Sequence, residues 1–197
     1  SSDDTVTLTS TTITGAKSIT FQTAVTAPAI TTGAGADVVV FEDALSGSGV
    51  INTHSGNDSI QFLKAAGVSI ADLGAGADSI YGANVISSGS ISGGAGADTF
   101  LISTLSNAAI YGGNAQDSIN ISGSLYGATV DFGDGNEQFT LTVGASASTV
   151  SGATGNDTFV VSTADLTSSK IDGGAGKDSV SFGAVLSGSS IVGGDDN

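Results

Sequence analysis

Apolar residues return along this chain in three fixed columns, each set by its distance from a recurrent acidic residue. Ile30, Ile51, Ala71, Ile91, Ile110, Val130, Val150 and Ile171 stand seven positions before the acid, and Ile191 continues the series. Val39, Ile60, Ile80, Phe100, Ile119, Phe139, Phe159 and Val180 stand two after it; Phe41, Phe62, Gly82, Ile102, Ile121, Leu141, Val161 and Phe182 stand four after it. Spacing by two puts the last two columns on one strand face. The pattern therefore predicts a strand before each acid, a turn at it and a second strand after it. Across the repeat a looser turn is read in Leu45-Ser-Gly-Ser, Val85-Ile-Ser-Ser-Gly, Leu105-Ser-Asn, Leu125-Tyr-Gly, Leu166-Thr-Ser-Ser and Leu186-Ser-Gly-Ser, whose leucine or valine closes the core at that edge.

The acids themselves are Asp37, Asp58, Asp78, Asp98, Asp117, Glu137, Asp157 and Asp178, in steps of 21, 20, 20, 19, 20, 20 and 21 residues. A unit of about twenty residues cannot bury a core alone, so its copies must stack as turns of one solenoid. The expected fold is all-β: a right-handed parallel β-solenoid (β-roll or β-helix) with coils of about twenty residues. Residues 30–197 form the repeat, which is expected to continue beyond the chain end; residues 1–29 form irregular or capping coils, because Asp4 stands only thirteen positions before Lys17, which takes the acid's place in the column. Pro28, the one proline, fits the entry to the strand at Ile30.

Composition narrows the function. Nineteen acidic residues against four lysines leave a net charge of −15, which disfavours nucleic acid and anionic membrane as partners and favours divalent cations. The absence of cysteine removes disulfides and thiolate metal sites. No apolar run reaches the length of a membrane span.

The acids sit in a glycine-rich word. Its candidate metal-binding residues are Gly33, Gly35 and Asp37; Gly56 and Asp58; Gly74, Gly76 and Asp78; Gly94, Gly96 and Asp98; Gly113 and Asp117; Gly133, Gly135 and Glu137; Gly155 and Asp157; Gly174, Gly176 and Asp178. Glycines permit positive φ, so main-chain carbonyls can turn toward a common point. Calcium takes six to eight oxygens at about 2.3–2.6 Å, which carbonyls and carboxylates of neighbouring turns can supply. The plain alternative is an aspartate that only caps its own turn. Ala115 and Glu137 predict the weakest binding between Asp117 and Glu137, and the strongest is expected between Asp78 and Asp98. The lone His54 occupies a glycine position and is read as a left-handed turn residue rather than a ligand or catalyst. An ice-binding face is not indicated, since the outward positions lack a regular threonine array.

The words Gly93-Gly-Ala-Gly-Ala-Asp-Thr-Phe-Leu101 and Gly173-Gly-Ala-Gly-Lys-Asp-Ser-Val-Ser181 resemble the RTX calcium-binding repeat, G-G-x-G-x-D-x-U-x. In that family the turns line both edges of a β-roll; here the word occurs on one edge, so the resemblance implies several Ca2+ ions along that edge alone. Composition and repeat together are similar to bacterial and cyanobacterial surface-layer (S-layer) proteins. The expected function is structural, with no enzyme activity: a secreted, extracellular cell-surface segment folded by calcium. Its partners are calcium, further copies, or other domains of the same surface protein. The repeat region of a type I-secreted toxin, protease or adhesin is the alternative, and an ion-free spacer a third reading.

Overall fold

The computed structural model describes residues 11–12, 18–162, 165–183 and 185–194. Asp4, read above as out of step, and Lys17, read as standing in the acid column, lie outside the described residues. Among those described there is no helix; short strands pair only in parallel and stack as about eight coils of about twenty residues.

The predicted register holds rung by rung. Val39 lies over Ile60 and Phe41 over Phe62, then Ile60 over Ile80, Phe100 over Ile119 and Phe139 over Phe159. The column before the acids behaves the same way, with Ile30 on Ile51, Ile91 on Ile110 and Val150 on Ile171. These side chains are buried in one continuous core. Each fully buried isoleucine or phenylalanine stabilises by about 1.5–3 kcal/mol. Phe21, Phe41 and Phe62 stack with centroids 4.9 and 5.4 Å apart.

The far side of the coil differs from a loose turn. Its leucine column runs through a third strand, either separate, as in Ser124–Tyr126, Gly144–Ser146 and Asp165–Thr167, or continuous with a neighbour, as in Thr99–Ser106. Leu125, Ala145 and Leu166 lie directly over one another. Three parallel ladders, not two, therefore enclose the core. At the N-terminal end Ser18–Phe21 pairs with Val38–Phe41 and Thr11–Thr12 with Ala29–Thr31. In the last described coil Phe182 and Leu186 stand 37% and 42% exposed, because no described strand covers them.

Candidate metal centre

Strand alternation decides where the acids point. Counting back by two from the buried positions four and two after the acid brings the acid itself onto the inner face. Asp37, Asp58, Asp78, Asp98, Asp117, Glu137 and Asp157 are accordingly buried, each with 2% or less of its surface exposed, and Asp178 is half-buried. The column expected at the rim of the rod is thus turned into its interior.

One carboxylate oxygen per rung has a fixed partner. The backbone N–H of Asp37 donates to Asp58 Oδ1 at 2.7 Å, that of Asp58 to Asp78 Oδ1 at 2.6 Å and that of Asp78 to Asp98 Oδ1 at 2.8 Å. Asp98 N–H donates to Asp117 Oδ1 at 2.8 Å, Glu137 N–H to Asp157 Oδ1 and Asp157 N–H to Asp178 Oδ1, both at 2.9 Å. The acids cap the preceding coil rather than their own turn. The ladder breaks once: both carboxylate oxygens of Glu137 are buried without a hydrogen-bond partner, so Asp117 N–H gains nothing from the longer side chain.

The other oxygen is the unusual one. Oδ2 of Asp58, Asp78, Asp98, Asp117, Asp157 and Asp178 is inaccessible to water and meets no donor. A buried charge without a countercharge or hydrogen bonds is strongly unfavourable. Burial pushes the Asp98 carboxyl up to about 7, with Asp117 and Asp78 adding repulsion, and pushes Asp117 up to about 6. Burial likewise raises Asp58, Asp78, Asp157 and, most of all, Glu137, which also faces Asp157. Adjacent ionised carboxylates about 5 Å apart repel by roughly 3 kcal/mol at an effective dielectric of 20.

The turn preceding each acid has the predicted backbone. Gly35, Gly56, Gly74, Gly76, Gly94, Gly96, Gly113, Gly133, Gly155, Gly174 and Gly176 take positive φ, whereas Gly33 and Gly135 do not. A methyl group on Gly94, at φ 104°, would strike the Gly74 carbonyl oxygen of the coil before. His54, Ala115 and Ala153 hold φ of 65°, 81° and 64° without glycine. Many turn carbonyls are already engaged between coils: His54 O accepts from Ala75, Gly74 O from Ala95, Ser55 O from Gly35 and Ala75 O from Gly56.

The donor set is all oxygen, which suits a hard cation. Among the described residues no three acidic or histidine side chains converge on one point. Each rung brings one carboxylate, so main-chain carbonyls must supply the remaining protein ligands. The residues fit that demand: beside Gly173, Asp178 Oδ2 and the Gly193 carbonyl oxygen converge on the space that a Cβ would take, each 2.5 Å from it. The same convergence recurs beside Gly152, where Asp157 Oδ2 meets Gly173 O. The sequence brings in the residue five before the acid only as the first glycine of the words at Gly93 and Gly173, although its spacing of two from the buried column seven before the acid marks it as inward-facing. The chain matches no protein-family model, no curated protein and no solved structure, so the site is read from its own geometry.

Proposed function

We propose that this solenoid is a calcium-stiffened structural segment of a secreted bacterial surface layer. The observation that carries the reading is the row of buried carboxylate oxygens that no donor reaches. Asp58, Asp78, Asp98, Asp117, Glu137, Asp157 and Asp178 would hold the ions, together with main-chain carbonyls of the adjoining coil. Bound calcium supplies the positive charge and oxygen coordination that the row otherwise lacks. The carboxylates then fix coil to coil through one oxygen and hold the ion through the other. Without the ion they must take up protons or repel one another, so order in the rod is coupled to calcium. Outside cells calcium is abundant enough for weak sites to fill. Acidic composition and the resemblance to RTX words support an extracellular setting, and outward Tyr81 and Leu101, 44% and 46% exposed, give neighbouring rods an apolar contact.

The test is thermal melting by circular dichroism in millimolar calcium and in excess EDTA, with electron microscopy of the same samples. A calcium-dependent rise in the melting temperature together with ordered sheets is expected. Identical melting in both buffers overturns the calcium role; calcium-dependent folding that yields only dispersed monomers overturns the surface-layer role.

A further inference from the structure

The face that follows the acids differs from the others in charge. From Ser59 to Ser181 its outward positions carry serine, threonine, glutamine, asparagine, tyrosine, leucine, valine and alanine, and no charged residue. The face before the acids presents Asp72, Asp131, Lys170 and Asp172, and the far side carries Asp43, Lys64 and Asp165. In a chain of net charge −15, two copies meet the least repulsion when they approach through the neutral face.

The relief of that face alternates between tall and small residues. Three positions after the acid stand Tyr81, Leu101 and Asn120 on successive coils, and five after it stand Ala83, Ser103 and Ser122. These six border a hollow of about 230 Å3. Its origin is a local irregularity: between Gly82 and Val85 the strand carries Ala83 and Asn84, where its neighbour has Ser103 alone. Tyr81 and Leu101 stand 44% and 46% exposed beside it. A cavity of about 150 Å3 already admits a benzene ring, so the hollow has room for an aromatic or leucine side chain.

Resting on the structural reading above, we infer that a second copy of this chain covers this face, related to the first by a two-fold axis parallel to the rod. Rotation about that axis reverses the strands, so the residue three after an acid faces the one five after the same acid in the second copy. Tyr81 then meets Ala83, Leu101 meets Ser103 and Asn120 meets Ser122, each contact being made twice. Large against small is how facing layers interdigitate. The same rotation carries the two acid columns to opposite sides of the pair. About eight coils spaced by about 4.8 Å, each with a strand of about 16 Å, give a face of about 600 Å2. Two such faces bury about 1,200 Å2, which reaches the range of specific, stable interfaces.

The experiment is sedimentation velocity of the whole chain in millimolar calcium, beside Leu101→Glu, Ala83→Phe and Tyr111→Glu. All three positions are exposed, so the fold of each variant is checked by an unchanged circular dichroism spectrum. The parent chain should sediment as a pair, and so should Tyr111→Glu, which lies on the face before the acids. Leu101→Glu should weaken pairing by more than about tenfold, since it brings like charges into the neutral contact. Ala83→Phe should weaken it as well, although it adds apolar surface, because it fills the hollow. Pairing that Ala83→Phe leaves intact or strengthens, or that Tyr111→Glu abolishes, overturns the inference. A monomeric parent chain also overturns it, and a change in its tyrosine fluorescence with added dextran would make a neutral polysaccharide the occupant instead. These results leave the calcium reading standing; that reading fails separately, when melting is identical in calcium and in EDTA.

Discussion

The two edges of the solenoid solve one problem with different chemistry. On the far edge Ser148, Ser169 and Ser189 stack, each hydroxyl accepting the N–H of the coil before: Ala128 N–H at 3.1 Å, Ser148 N–H at 3.1 Å and Ser169 N–H at 2.9 Å. Ser148 and Ser169 then donate their own hydrogen to the carbonyls of Ser146 and Thr167 at 2.9 Å. The acid edge accepts the same kind of N–H with the same reach, but its second oxygen has no hydrogen to give and receives none. A hydroxyl both accepts and donates; a carboxylate only accepts. The serine edge is therefore complete in itself, while the acid edge needs a cation or a proton.

That contrast predicts the largest effect for Asp98→Asn and Asp117→Asn. An amide keeps the ladder acceptor and brings donors in place of an orphaned charge, whose burial costs more than the about 1–3 kcal/mol of an unsatisfied neutral group. In EDTA both variants should melt higher than the parent chain, and in calcium lower. Equal shifts of one sign in the two buffers would erase the difference between the edges.

A second expectation concerns pH without metal. Folding raises the carboxyls of Asp98 to about 7 and Asp117 to about 6 from an ordinary 3.8. A group raised on folding stabilises fully below its unfolded value and loses that contribution as pH rises through the folded one. The calcium-free chain should accordingly be most stable near pH 4 and weaken progressively through pH 6 to 7, as denaturant midpoints across that range would show. A flat profile would mean that the carboxylates are as comfortable inside as in water.

The smallest effect belongs to the serine edge. Ser169→Ala removes an acceptor for Ser148 N–H and one donated bond, worth about 1 kcal/mol. The loss should be identical with calcium and with EDTA, as paired melting curves would reveal.

What could be read from sequence follows the same division. The solenoid and its register were legible because the columns of Ile30, Val39 and Phe41 repeat one chemical type at fixed spacing. The acids were legible as a column, yet their inward direction required carrying strand parity through the turn, where glycines obscure it. The third strand was read as a turn because Ser124–Tyr126 and its equivalents are three residues long and rich in serine and glycine. The position five before the acid is legible only where it is the first glycine of the words at Gly93 and Gly173, because in other coils threonine, leucine and phenylalanine share no chemical type with it. Ser148, Ser169 and Ser189 are lost among many serines of the chain, since nothing in the letter distinguishes a ladder hydroxyl from a solvated one.

The most direct test is diffraction from crystals grown in millimolar calcium, with anomalous scattering used to place the ions. Peaks between successive coils, bonded to the second oxygen of Asp98 and of Asp157, are the predicted result. Carboxylates in the same ladder with water or nothing beside that oxygen, and no anomalous signal along the edge, would contradict it.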